Sequence, residues 1–138
     1  WMLVVNDLCK QAALNRRLVV RGPSSGVRNF ITMTDVCMGL EFLVTNRRDL
    51  LHPLICNLGD KTKTIGDIAS AIKSIYLEEK GIDLEIIQLS NDRLETRNLD
   101  FRSSVLADIG YQWSSNFKEE LIELVKFCEF EFSASNAN

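Results

Sequence analysis

The sequence predicts an α/β fold of short strands with about five helices, and three features predict it. Helical and extended patterns alternate in the order α, β, β, α, β, α, β, α, α. Two of the helical segments open on capping pairs, Thr64 with Asp67 and Asn116 with Glu119. The run "LICNLG", residues 54–59, is apolar and closed by glycine, as a strand covered on both faces in a parallel sheet would be.

Residues 5–16 read as a helix that Asn6 can cap, with Val5, Leu8, Cys9, Ala12 and Ala13 on one face. "LVV", 18–20, is a short strand, and Gly22, Pro23 and Gly26 mark a turn. "NFITM" is a second strand. Thr34 suits the N-cap of a helix to about Asn46, with Val36, Leu40 and Leu43 inward. After "LICNLG", a helix capped at Thr64 turns Ile65, Ile68, Ala69, Ile72 and Ile75 inward and ends at Gly81. "DLEIIQLS" is a strand and "SSVLADIG" a short helix stopped by Gly110. From Asn116 a last helix presents Phe117, Leu121, Leu124, Val125 and Cys128. "LICNLG" calls for strands on both its edges, more than these few apolar strands provide, so one parallel sheet cannot be assembled from them alone.

With 138 residues, 46% hydrophobic and 25% charged, the chain fits one domain with a real core. It has no 18-residue apolar run for a membrane span. The start, "WMLVVNDLCK", lacks a basic leader and a cleavage site, and reads as cut from a longer chain. Cys9, Cys37, Cys56 and Cys128 form no CxxC pair and lie in apolar patterns, as buried, reduced thiols of a cytoplasmic protein would. His52 is the only histidine, too little for zinc with such scattered cysteines. Residues 1–52 carry seven Lys/Arg against four Asp/Glu, a net +3, while the remainder is net −6. The mildly basic first part suits a small anionic ligand and is too weak for a nucleic-acid surface.

Three stretches, in order, carry a family resemblance. "LVVRGPSSGVRNFITMTDVCMGLEFLV", "LICNLGDKTKTIGDIASAI" and "LDFRSSVLADIGYQWSSNFKEELIELV" resemble the C-terminal part of extended short-chain dehydrogenase/reductases, the NAD-dependent nucleotide-sugar epimerases and dehydratases. The resemblance implies that residues 1–132 are the substrate-binding portion of a Rossmann-type protein and that residues 133–138 are a disordered tail. It implies that the N-terminal Rossmann half is missing, since no G-x-x-G-x-x-G follows a strand to seat a pyrophosphate. NAD or NADP would then belong to the complete protein and not to this chain, which alone is expected to be inactive. The complete enzyme would transfer hydride to NAD and then epimerise, dehydrate or reduce the sugar.

The resemblance places Arg28 on the diphosphate of a nucleotide sugar. A guanidinium stays charged and offers phosphate a planar fork of donors; the bland alternative is an exposed loop arginine in a weak ion pair. Arg97, in "ETRNLDF", is the second diphosphate candidate, with Arg93 competing, and Asp100 can cap the next helix. Val19 and Val20 match the segment passing the nucleobase and could present backbone groups there. Asp35 reads as helix-start electrostatics. Tyr76 and Lys80 stand at the family's catalytic Tyr-x-x-x-Lys spacing, but too far downstream in the chain, so the spacing reads as coincidence. The competing readings are a non-catalytic module for an anionic ligand or a protein, and a truncated piece that self-associates through an uncovered strand edge.

Overall fold

The apolar stripes of three helices meet in one core. The computed structural model describes residues 3–46, 55–90, 101, 104–113 and 116–133. Helix α1 (Val4–Asn15) buries Leu8, Cys9, Ala12 and Ala13. Helix α3 (Ile65–Lys80) buries Ile68, Ala69, Ile72, Ile75 and Tyr76, and α5 (Phe117–Cys128) buries Leu121, Val125 and Cys128. These side chains pack with Leu18 and Val20 of strand β1 (Arg17–Val20) and with Leu84. The inward faces of all three helices are those that the 3.6-residue period marks. A π-helical turn, Glu129–Ser133, continues α5 against α1 and takes in Ser133, which the sequence assigns to the tail; residues 134–138 lie outside the described residues.

The strands form two separate ribbons. β1 pairs in parallel with β4 (Glu85–Gln88), Val19 opposite Ile87. β2 (Val27–Phe30) pairs antiparallel with β3 (Lys61–Thr64), Arg28 opposite Lys63. The third strand is therefore "KTKT" and not "LICNLG". Residues 55–60 are irregular and Ile55 is 92% exposed, so the apolar run has no strand partner among the described residues. A strand exists only where a second backbone completes its ladder, and β2 supplies that for residues 61–64.

Caps differ by two or three residues from the sequence expectation at two helices. α1 starts at Val4 with Leu3 as N-cap, so Asn6 lies within its first turn. Helix α2 (Met33–Thr45) is capped by Thr32 rather than Thr34: the Thr32 hydroxyl oxygen accepts from the Asp35 amide at 3.0 Å. Of α2 only Asp35 and Gly39 are fully buried, and the core takes no residue from this helix. Leu40, expected inward, is half exposed, and Met33 and Val44 are exposed too. The stripe that periodicity finds on α2 is only partly covered among the described residues, Val36 and Leu43 being half-buried. Cys37, on this helix, is exposed and Cys56 is only partly buried, against the expectation for both. Cys9 and Cys128 are buried; burial raises both thiols, Cys128 to about 11. At Gly39, α2 approaches Leu58 and Tyr111 closely, and short α4 (Ser104–Asp108) leads through Gly110 at φ 93° to that tyrosine. Among the described residues no helix is long and apolar enough to cross a membrane.

The α3 cap is the reciprocal box that the sequence predicts. The Thr64 hydroxyl accepts from the Asp67 amide at 3.0 Å, and the Asp67 carboxylate accepts from the Thr64 amide at 2.9 Å. Thr64→Ala is expected to lower stability to urea by about 1 kcal/mol. The Thr64 amide holds the Asp67 carboxyl below its ordinary value of 3.8. A depressed carboxylate stabilises the fold above its unfolded pKa and stops doing so as pH falls through the folded one. The stability gap between wild type and Asp67→Ala should therefore be open at pH 7 and close as pH falls below about 4, in unfolding curves collected across that range.

Candidate functional site

The chain from Arg21 to Gly26 makes a turn between β1 and β2 that is held from two sides. The Gln88 side chain donates to the Gly22 carbonyl at 2.6 Å. The amides of Ile65 and Gly66, at the start of α3, donate to the carbonyls of Gly26 and Ser24 at 3.0 and 2.8 Å. Gly22 and Gly26 carry no side chain at the two ends of the turn, and Arg21 and Arg28 stand on its two arms.

That turn forms one wall of an open cleft of about 1570 Å³. The first turns of α1, strand β2, the Thr32–Met33 start of α2, and Phe117, Leu121, Leu124 and Phe127 of α5 complete it. Arg28, Val19 and Val20 all line the cleft, as does Asn6. Arg97, Arg93, Asp100 and His52 lie outside the described residues.

Arg28 is exposed, and its Nη1 donates to the neighbouring Val27 carbonyl at 2.7 Å. Among the described residues no carboxylate pairs with it. Directly across the ribbon is Lys63, on the same face. Like charges opposite one another cost stability, and they concentrate positive potential on one side of the β2–β3 ribbon. The acids of the cleft are engaged: Thr34 donates to Glu120, Glu123 pairs with Lys126 at 2.8 Å, and Asp7 accepts from Gln11 at 2.7 Å.

At the valines the backbone is already occupied. The Val19 amide donates to Gln11 Oε1 at 2.7 Å and the Val20 carbonyl accepts from Leu89 at 3.0 Å. These two backbone groups are therefore taken, and with Val20 buried in the core the side-chain surface that the valines offer the cleft is that of Val19. Asp35 is fully buried and held by Thr32, and its carbonyl accepts from the Tyr111 hydroxyl at 3.3 Å. That bond ties the start of α2 to the segment after α4.

Tyr76 and Lys80 belong to the core and not to the cleft. Tyr76 is 0% exposed and its hydroxyl donates to Glu129, which also pairs with Lys80 at 3.7 Å and with Arg16. Burial and the Glu129 carboxylate raise the Tyr76 pKa, the reverse of what a catalytic tyrosine requires.

Pattern reading passes over Arg21, Asp7 and Lys63. Arg21 and Asp7 line the cleft and pair at 3.8 Å. A signal for Arg21 exists: alternation along β1 turns Leu18 and Val20 inward, and so puts Val19 and Arg21 on the other face. Lys63 has no such signal, because only the register of β3 on β2 sets it opposite Arg28.

The β3–α3 junction does not fit the pyrophosphate of a dinucleotide cofactor. The first amides of α3 are bound to Gly26 and Ser24 of the chain itself, and a side chain at Gly66 would meet the Ser24 carbonyl at 3.3 Å.

No family model matches the sequence. The chain is 27% identical over 128 residues to UDP-sulfoquinovose synthase of Sulfolobus acidocaldarius, covering 91% of this chain and 32% of that protein. In structure it is similar to RMD from Pseudomonas aeruginosa, solved with NADPH, with a TM-score of 0.72 and 20% identity, over 93% of this chain and 43% of that one. It is also similar to TunA, an NAD-dependent NDP-hexosamine 5,6-dehydratase of tunicamycin biosynthesis, with a TM-score of 0.63 and 20% identity, over 96% of this chain and 42% of that one. The chain thus spans about a third of the curated relative and under half of each solved structure. Sequence motifs and likeness of fold lead to one statement: the chain is related to the extended short-chain dehydrogenase/reductases and corresponds to a portion of such a protein.

Proposed function

We propose that the cleft binds the diphosphate of a nucleotide sugar through Arg28, as the substrate-side portion of an NAD(P)-dependent sugar epimerase, dehydratase or reductase. The observation that carries this reading is an exposed arginine with no carboxylate partner among the described residues, facing a lysine across the ribbon at the rim of a large cleft. Such an arrangement costs stability, and a bound anion relieves it. Phosphate oxygens accept from the guanidinium fork in two parallel bonds. The Gly22–Gly26 turn leaves room beside it, and the partly exposed Val19 provides an apolar flank for a base or sugar ring.

The cleft volume, about 1570 Å³, exceeds the roughly 300–1,000 Å³ usual for small-molecule sites. Supporting a larger parent protein are the uncovered apolar residues of α2 and Ile55. In this reading they pack on the cofactor-binding half, which brings the NAD(P) and the acid/base groups. Hydride transfer belongs to that half. This chain's residues bind and orient the substrate.

Titration of the chain with UDP- and CDP-sugars tests the reading. Wild type should bind, and Arg28→Ala should weaken binding by about tenfold or more, as expected for a lost charge-assisted pair. Absence of binding to wild type, or equal binding by both proteins, overturns it.

A further inference from the structure

Two arginines line the cleft, and only one has a counter-charge. Arg21 is well exposed and lies 3.8 Å from Asp7 Oδ2. That separation in solvent makes a weak pair, easily exchanged for a better acceptor. Asp7 itself is held in place. The same Oδ2 accepts from Gln11 Nε2 at 2.7 Å, and Gln11 Oε1 accepts from the Val19 amide at 2.7 Å. The relay Val19–Gln11–Asp7–Arg21 therefore runs from the outer edge of β1, across α1, to the mouth of the cleft. Asp7 is fixed to the scaffold and Arg21 is loosely attached to it.

We propose that Arg21 is a second anion-binding residue of the cleft, and that Asp7 restrains it until a phosphate displaces the carboxylate. This rests on the reading of the cleft as a diphosphate site and adds a gate to it. With Asp7 in place, Arg21 is partly neutralised, so a singly charged anion gains little from it. A diphosphate brings enough charge to compete with the carboxylate and to engage both arms of the turn. The cleft then prefers a diphosphate over a monophosphate, and Asp7 sets how strongly.

Inorganic pyrophosphate and UDP, titrated into the 138-residue chain by calorimetry at low and moderate salt, provide the test. Arg21→Gln should weaken pyrophosphate binding by about tenfold, with Arg21→Lys recovering part of the loss. Asp7→Asn keeps an oxygen for Gln11 and removes the charge, and it should tighten binding several-fold. In the Arg21→Gln background the same Asp7→Asn change should give a smaller gain, because the carboxylate acts through Arg21. Arg17→Gln, at an exposed position outside the cleft, should leave binding unchanged.

An Arg21→Gln affinity equal to wild type, or an Asp7→Asn gain that is the same in both backgrounds, overturns the proposal. If Arg28→Ala alone weakens UDP binding, the diphosphate reading stands and Arg21 is removed from it. If pyrophosphate binds through Arg21 while UDP and the UDP-sugars do not bind, the nucleotide-sugar reading falls and Arg21 stands. Binding of none of the probes overturns both.

Discussion

Ile72→Ala is expected to lower the stability of the chain by about 3–4 kcal/mol. Ile72 is 0% exposed at the middle of α3. It belongs to a core cluster to which all three core helices and β1 contribute. Truncation removes the transfer free energy of three carbons and leaves a cavity that cannot close without moving elements it does not own. A domain of this size holds only 5–15 kcal/mol in total, so the loss should shift the urea midpoint strongly. Val44→Ala provides the contrast. Val44 is equally apolar but 70% exposed on α2, and its truncation should stay within about 0.5 kcal/mol. Equal losses at the two positions would mean that α2 is covered and that the core boundary drawn above is wrong.

The second large effect is expected at Glu129, where α1, α3 and the end of α5 are joined. Its carboxylate accepts from the Tyr76 hydroxyl and from both terminal nitrogens of Arg16, the residue in left-handed conformation that closes α1. Lys80, from the last turn of α3, lies 3.7 Å away. The Glu129 side chain is 13% exposed, against 42% for Arg16 and 34% for Lys80. The ion pairs are therefore solvent-screened and contribute little. The hydroxyl differs, since Tyr76 is wholly buried and Glu129→Ala takes away its acceptor. The expected cost is about 2–3 kcal/mol, mostly the desolvation of that hydroxyl. Tyr76→Phe should cost less, about 1 kcal/mol. In the Tyr76→Phe background Glu129→Ala should cost correspondingly less, with a coupling of about 1 kcal/mol in a double-mutant cycle.

The same contact has a pH signature. The folded pKa of Tyr76 lies above its ordinary value of 10.0. A raised pKa stabilises the fold fully below the unfolded value and loses that contribution as pH rises through the folded one. Wild type should therefore lose stability above about pH 10 more steeply than Tyr76→Phe, which denaturation curves in alkaline buffers would show.

Much of the scaffold could be read in advance because the information was local. The Thr64–Asp67 box, the inward stripe of α3 and the glycine stop at Gly81 all involve residues within a few positions of each other, and all three are found. The same holds for the stripes of α1 and α5. The Gly22–Gly26 turn beside Arg28 was equally visible, and Arg28, Val19 and Val20 do line one cleft. The errors arose where a partner distant in sequence decides. "LICNLG" has the composition of a strand but no ladder among the described residues, while "KTKT" lacks that composition and pairs with β2. Leu40 sits on the apolar stripe of α2 and is half exposed all the same.

By itself, then, the sequence determined the helices, the N-caps of α3 and α5 and the inward faces of α1, α3 and α5, together with the glycine turn that leads to Arg28. Helix periodicity and capping act over three or four residues, so composition and spacing suffice to specify them. Only the tertiary structure decided which extended segments pair, that Lys63 lies opposite Arg28, that Asp7 comes within 3.8 Å of Arg21, and that Tyr76 serves the core through Glu129. Each of these is a meeting of groups brought together by packing, and a one-residue change of register or rotation of a helix face would undo it without altering any local pattern.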